Sequence, residues 1–319
     1  MPAKTGIPSS FRRLEPYLAE EISPLLDAKV VQVLLLRQTH DYTIFRTEES
    51  RELNTVVVPE SIVSTKPVVK VAFLASKQKA PESRMFTRLL RTVDKNNECH
   101  LKDELCMKCP RCALFGAVSV KGREYNIKHR IEYSTAYSIE AYEDLLESIT
   151  FNAVDEASQL TGQALNLSHN VRPLANFPSV VTLNSATWYE LAMYLKTLLA
   201  TKSYGAETRT KGDMRNVVLG IVAGYEEVIT SLEYCLELSA VWEKETDLES
   251  VTERVLRKYA QLSASRGNLV VLTADETKKL LAEVQDVPLD ADFVGAMQKH
   301  VDAFVVKATP KEKAKKGKK

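Results

Sequence analysis

Four of the chain's five cysteines fall within fourteen residues, Cys99 to Cys112, in the segment CHLKDELCMKCPRC. No other stretch constrains the local fold as much, because a chain that gathers these side chains must turn tightly around them. Cys106, Cys109 and Cys112 have the spacing C-x2-C-x2-C, and each C-x2-C supplies two ligands to a tetrahedral ion from one knuckle. Pro110 stiffens the second turn. The spacing predicts a structural zinc held by Cys106, Cys109, Cys112 and His100. Cys99 is the substitute for His100, since adjacent residues rarely both reach one ion. Four protein ligands leave no position open for catalytic water. An iron–sulfur cluster shares the spacing, but the further cysteine followed by proline is missing. Cys235 lies in an apolar helical run and reads as a core residue.

The 319 residues are 45% hydrophobic, enough for a sizeable core in one large domain or two. No apolar run approaches the roughly 18 residues of a membrane helix, and no secretory leader pattern is visible. The expectation is a cytoplasmic protein with no membrane partner, a reducing setting in which clustered cysteines favour metal over disulfides. Residues 307–319 hold seven lysines and one glutamate, a surplus of six, so a formal net charge of +1 leaves residues 1–306 at −5. That tail, 306–319, reads as a disordered, solvated charge run. Any nucleic-acid contact elsewhere must therefore rest on local basic patches.

VVQVLLLR (30–37) is apolar and β-branched and predicts a buried strand. In SRMFTRLLRTV (83–93) the period changes: Met85, Phe86, Leu89, Leu90 and Val93 share one helical face, and Arg84, Arg88 and Arg91 share another. Across 77–91, five Lys or Arg meet one Glu, too few acids at i±4 to neutralise the face. YNIKHRIEY (125–133) alternates, which predicts Tyr125, Ile127, a packed His129, Ile131 and Tyr133 on one side of a strand, with Lys128 and Arg130 on the other.

Residues 150–173 carry turn residues and weak alternation, the pattern of a long arm with little to bury, with Gln163 and His169 among its polar side chains. Val180–Leu183 reads as a strand, and Thr187 with Glu190 predicts a capping box for the helix from Trp188. SYGAETRTKGDMRNVVLGI (203–221) is a glycine-containing basic loop running into an apolar strand, with Arg209, Lys211 and Arg215 as its charge. It lacks a Walker Lys-Ser/Thr and is no P-loop. Residues 225–253 hold nine acids and one lysine in a helical pattern, a segment that would repel nucleic acid.

Strand, basic helix, strand, hairpin, strand, helix, loop and strand predict an α+β fold: an RRM-like (ferredoxin-like) βαββαβ core over 1–95 and 113–222. The insertions are a zinc-binding segment 96–112 and a thumb hairpin 150–178, and a helical region 223–305 follows. CPRCALFG (109–116), TFNAVDEAS…TGQALN (150–166) and YGAETRTKGD (204–213) then come in the order of the RAMP superfamily of CRISPR proteins. Over roughly residues 28–222, the chain resembles most the backbone subunit of type I-D Cascade. Its loop departs from relatives in one respect, reading RTKGDMRN with a single internal glycine.

The resemblance implies a non-enzymatic protein that polymerises along guide crRNA with other Cascade subunits and presents the guide to target DNA. Arg84, Arg88 and Arg91 then match the helix that holds guide phosphates. Residues 152–175 match the thumb, and Arg209, Lys211 and Arg215 match the loop near the RNA backbone. Lys128, Arg130, Gln163 and His169 complete the expected RNA contacts. One alternative is a target-RNA nuclease using Asp41, beside His40, or Asp213, although neither has a matched base at readable spacing. Another is a zinc-stabilised DNA-binding regulator, for which no recognition-helix motif is present.

Overall fold

The computed structural model describes residues 7–47, 52–100, 105–118, 125–154, 161–206 and 211–309, with the backbone alone for 151–154 and 161–167. Of the tail expected to be disordered over 306–319, residues 306–308 instead end a helix, and those from 310 onward lie outside the described residues.

Val30–Thr39 forms β1, the middle of an antiparallel sheet, flanked by β8 (Asn176–Asn184) and β9 (Met214–Gly224). Val31 lies opposite Leu183 on one side and Ala223 on the other. Beyond these, β4 (Ile131–Tyr133) pairs with β8 and β10 (Leu269–Val271) with β9, giving the order β10-β9-β1-β8-β4.

Helices cover both faces of this sheet. Val31, Val33 and Leu35 point into a core with Phe86 and Leu90 of α1 (Ala75–Val93) and Leu191, Leu195 and Leu198 of α4 (Trp188–Ala200). Leu280 and Val284 of α7 (Ala274–Asp286), with Phe293 and Met297 of α8 (Ala291–Ala308), extend it. Leu34 and Leu36 face the other way, against Tyr234 and Leu238 of α5 (Ser231–Ser239) and Val255 and Leu256 of α6 (Leu248–Leu262). A strand buried on both faces has no reason to alternate, which is why 30–37 reads as a continuous apolar run. Burial of Cys235 in α5 agrees with its core reading.

Between β1 and α1, β2 (Thr55–Ser61) and β3 (Ser64–Phe73) form a hairpin that β5 (Ala136–Tyr137) joins. The predicted long arm is β6 (Leu146–Val154) paired with β7 (Thr161–Val171), entered through the single turn of α3 (Tyr142–Leu145). The arm's root is anchored: Val171 bridges to Thr43 and is buried with Leu145 and Phe177. Thr187 and Glu190 make the predicted capping box at the start of α4.

The segment 125–133 departs from its predicted alternation. Ile127 bridges to Ala117, the ladder resumes only at Ile131, and the chain between turns over. His129 is left about half exposed and Arg130 is buried, the reverse of the expectation. Gly116 explains the break: its φ is +83°, and a Cβ there would stand 2.9 Å from the His129 nitrogen. The two segments therefore cross too closely for a regular strand.

Candidate nucleic-acid interface and cysteine cluster

The position of α1 is fixed from inside by its one acid. Glu82 is fully buried and pairs with Arg37 of β1 at 2.6 Å. The hydroxyls of Tyr133, Tyr194 and Tyr204 donate to the same carboxylate at 2.7, 3.2 and 2.9 Å. Burial, then the Glu82 charge, pushes all three phenols well above their ordinary range, so they remain donors. Arg37 also donates to Asn216 Oδ1 and Ser179 Oγ. With Glu82 turned inward, the outer face of α1 keeps its cations and loses its acid.

On that face Arg84 and Arg88 are exposed and Arg91 is half-buried. Partial burial, then the charge of Arg88, lowers the Arg84 pKa. A pocket of about 170 Å³ is lined by Ser83, Arg84, Thr87, Arg88, Arg91 and Arg111. His100 also lines it. A second pocket, of about 420 Å³, shares Arg84 and adds Arg46, Lys77, Pro81, Gly205 and Ala206. The glycine loop and the basic helix are thus brought together. Arg111 and Arg46 were not singled out by sequence; Arg111 was legible in principle, as a cation inside the cysteine knuckle.

The loop from 203 is closed at its neck, where Ser203 bridges Asp213 and Tyr204 N donates to Gly212 O at 3.0 Å. Gly212 has φ +61°, and a Cβ there would lie 2.0 Å from the Tyr204 oxygen. Its glycine thus serves closure of the loop. Lys211 pairs with Asp213 at 2.7 Å, and Arg215 is exposed on β9. Arg209 and the side chain of Gln163 lie outside the described residues. Lys128 is exposed. His169 sits at the arm's root, its Nδ1 3.6 Å from a Glu52 oxygen.

Arg130 is a correction. It is 2% exposed, ion-paired with buried Glu190, and donates to the Ala113 and Ser185 carbonyls at 3.2 and 3.0 Å. Its charge is spent tying β4 to α4, out of reach of any RNA. Of the two acids considered for catalysis, Asp41 accepts from the Tyr42 amide at 2.8 Å and Asp213 is paired with Lys211.

The fourth cysteine, and not His100, completes the cluster. Sulfur atoms of Cys99, Cys106, Cys109 and Cys112 all lie within 4.8 Å of one another, with Cys99 and Cys112 3.5 Å apart. His100 is exposed and its Nδ1 donates to the Glu98 carbonyl at 2.8 Å. One of two neighbouring side chains had to turn away, and Cys99 is the one the chain buries. Cys109 precedes the short α2 (Pro110–Phe115), which carries Cys112, and Met107 in the knuckle has φ +61°. The donor set fits a soft or borderline tetrahedral ion: zinc–sulfur bonds of about 2.3 Å place sulfurs about 3.8 Å apart. Hydrogen bonds from neighbouring thiols, that of Cys106 first, hold the Cys99 thiol well below its ordinary range. Those led by Cys109 bring Cys106 down to about 7. The same hydrogen bonds, led by that to Cys106, push Cys109 and Cys112 up, so in the metal-free cluster the thiols share protons and a bound ion must displace those that remain. Among the described residues, these four sulfurs are the group placed so that it could hold a metal ion.

Together, a doubly covered antiparallel sheet, a basic helix face and a cysteine knuckle define a mixed α/β protein built like a known CRISPR protein. The crystal structure of Thermofilum pendens Csc2 is similar, with a TM-score of 0.62 and 21% identity over 96% of this chain and 97% of that one. The chain belongs to the Csc2 Crispr family of Cascade backbone proteins, whose family model matches residues 17–297. A CRISPR RNA-guided surveillance complex in a pre-nicking state contains a more distant likeness, at TM-score 0.49 and 11% identity over 86% of this chain and 99% of that one. No curated protein matches the chain. Among the described residues, no helix is long and apolar enough to cross a membrane.

Proposed function

We propose that this chain is a non-catalytic backbone subunit of a type I-D Cascade complex. Several copies, with other Cascade subunits, assemble along guide crRNA and hold it for pairing with target DNA. The observation that carries this reading is the outer face of α1. Lys77, Arg84, Arg88 and Arg91 follow one another without an acid, because the only carboxylate between them is buried against Arg37. Guides of arbitrary sequence demand contacts to phosphate and sugar, which such a face supplies, while base reading is left to pairing.

Covering of the second sheet face by α5 and α6 supports the same assignment, since bases have no open sheet to stack on. The core is RRM-like: β1, α1, β4, β8, α4 and β9 follow in βαββαβ order, and the strands lie in the order β9-β1-β8-β4. The cysteine cluster holds one structural zinc, which would cross-link the knuckle; Cys99, Cys106, Cys109 and Cys112 fix its position. The β6–β7 arm is the thumb that reaches toward RNA and a neighbouring copy. Protein purified from its own cells should carry RNA of uniform length, and should form larger, regular assemblies as guide RNA is titrated in. Recovery without RNA, and a monomer at every RNA ratio, would defeat the proposal.

A further inference from the structure

We propose that the cysteine cluster sets the RNA affinity of the basic pocket, acting through Arg91. The inference rests on the RNA-binding role proposed for the α1 face. It starts from an adjacency: Cys99 and Cys112, whose sulfurs lie 3.5 Å apart, each have a chain neighbour that lines the pocket. His100 follows Cys99, and Arg111 precedes Cys112.

Arg91 connects the two sites. Its Nε donates to the Asn97 carbonyl at 2.9 Å, and an Nη donates to the carbonyl of Cys99 itself. Among the described residues, the contacts within the loop presenting those carbonyls are short-range: Asn96 N and Asn97 N donate to Asp94 Oδ1 and O at 3.1 and 3.2 Å, and the Asn97 side chain accepts from Cys99 N at 3.1 Å. The buried Cys99 sulfur, 3.5 Å from that of Cys112, ties the loop to the cluster, and a β-bridge at His100 closes its end. On the other wall, Arg111 donates to Ser83 Oγ and Gly116 O, both at 2.9 Å, so α2 and its Cys112 hold the pocket floor. When the four sulfurs are held together, Arg91 is fixed with two of its donors engaged and its charge on the pocket. When they are released, loop 94–100 loses its anchor and Arg91 loses its orientation.

The cluster also has its own approach from solvent. A separate pocket of about 560 Å³, lined by Asp94, Glu98, Cys106, Lys108, Gln298 and Asp302, reaches it and shares only His100 with the basic pocket. Half-buried Cys106 opens to that side. A chelator can therefore reach the sulfurs without crossing the RNA face.

Fluorescence anisotropy with a labelled single-stranded RNA of mixed sequence tests this on the full chain, with metal bound and after chelation. Chelation should weaken RNA binding by wild type by on the order of tenfold, within the usual range of coupling between sites. The salt slope should fall by about 0.7, one single-strand phosphate contact. In Arg91→Ala, chelation should change affinity less than about twofold. Coupling is reciprocal, so RNA should slow zinc extraction by a colorimetric chelator in wild type by a similar factor, and not in Arg91→Ala. This second readout starts from the metal-bound protein and stays informative if the metal-free chain unfolds. No effect of RNA on zinc extraction in wild type, or an equal effect in both proteins, overturns the coupling. Full RNA affinity in metal-bound Arg84→Ala/Arg88→Ala instead overturns the RNA-binding face itself, and the coupling with it.

Discussion

Arg37 and Glu82 meet 2.6 Å apart with neither side chain exposed, and this pair decides which face of α1 is basic. Removing one partner strands the other charge in the core. Glu82→Ala should therefore cost about 3–5 kcal/mol in urea unfolding. Tyr204→Phe, which removes one hydrogen bond to the same carboxylate, should cost about 1 kcal/mol. A Glu82→Ala protein with unchanged stability would show that the network contributes nothing.

Two kinds of arginine should separate cleanly by experiment. Arg84→Ala with Arg88→Ala should weaken binding to every RNA alike and lower the salt slope by about 1.4, at roughly 0.7 per phosphate contact. Thermal stability should barely change, since both side chains are exposed. Arg130→Ala should do the opposite, destabilising by about 3–5 kcal/mol through unpaired Glu190 while leaving the slope of any folded protein unchanged. Sequence-selective loss in the double variant would mean that the face reads bases.

The choice between neighbours Cys99 and His100 predicts metal content. Elemental analysis should find about one zinc per chain in wild type and in His100→Ala, as a closed four-sulfur site requires. Cys99→Ser should lose zinc readily to a chelator. The reverse ranking would return the fourth position to the histidine.

What the sequence disclosed and what it withheld follow from how local each signal is. The apolar run 30–37 and the Thr187–Glu190 box depend on near neighbours, and both appear as read. Arg130 was misread because alternation assigns faces only while a strand continues, and the crossing at Gly116 interrupts this one. His100 was preferred to Cys99 on spacing alone, whereas the outcome turns on which of the two the loop buries. Glu82 carried no local sign of turning inward. Its four partners lie on β1, β4, α4 and the loop after α4, all distant in sequence.

Acid should loosen the start of the chain before the core. Glu283 of α7 accepts the Ser9 and Ser10 amides at 3.1 and 2.9 Å, pinning the turn that buries Phe11. Ser10, by its nearby hydroxyl first and then by its amide, holds the Glu283 carboxyl below the ordinary range. A carboxyl depressed on folding stabilises above its unfolded pKa of about 4.3 and ceases to as pH falls through its lower folded value. Hydrogen-exchange protection at Ser9 and Ser10 should thus be steady from about pH 7 to 5 and fall below about pH 4. Glu283→Gln should abolish that step; an identical acid transition in the variant would assign it elsewhere.

Shortening the arm should spare the fold if the cut stays outside its root. Ser168, Asn170 and Val171 are buried, so the replaceable part lies beyond the Thr150–Leu167 pair. Replacing 151–166 with a short Gly-Ser turn should leave the melting temperature within about 1 °C, a few tenths of a kcal/mol for a chain of this size. The regular assemblies formed on guide RNA should be lost. Unaltered assembly would remove the arm from the interface.

The cysteine knuckle closes over fourteen residues, yet its apolar flank is covered by Val301 and Phe304 of α8, the first of them 189 positions after Cys112. At ribosomal speeds of about 5–20 residues per second, the knuckle emerges roughly 10–40 s before the helix that shields it. During that interval the nascent chain displays Met107, Ala113 and Ile127 without Val301 and Phe304 over them. The growing protein thus passes through a window in which chaperone capture, or premature contact with a neighbour's α8, competes with its own completion.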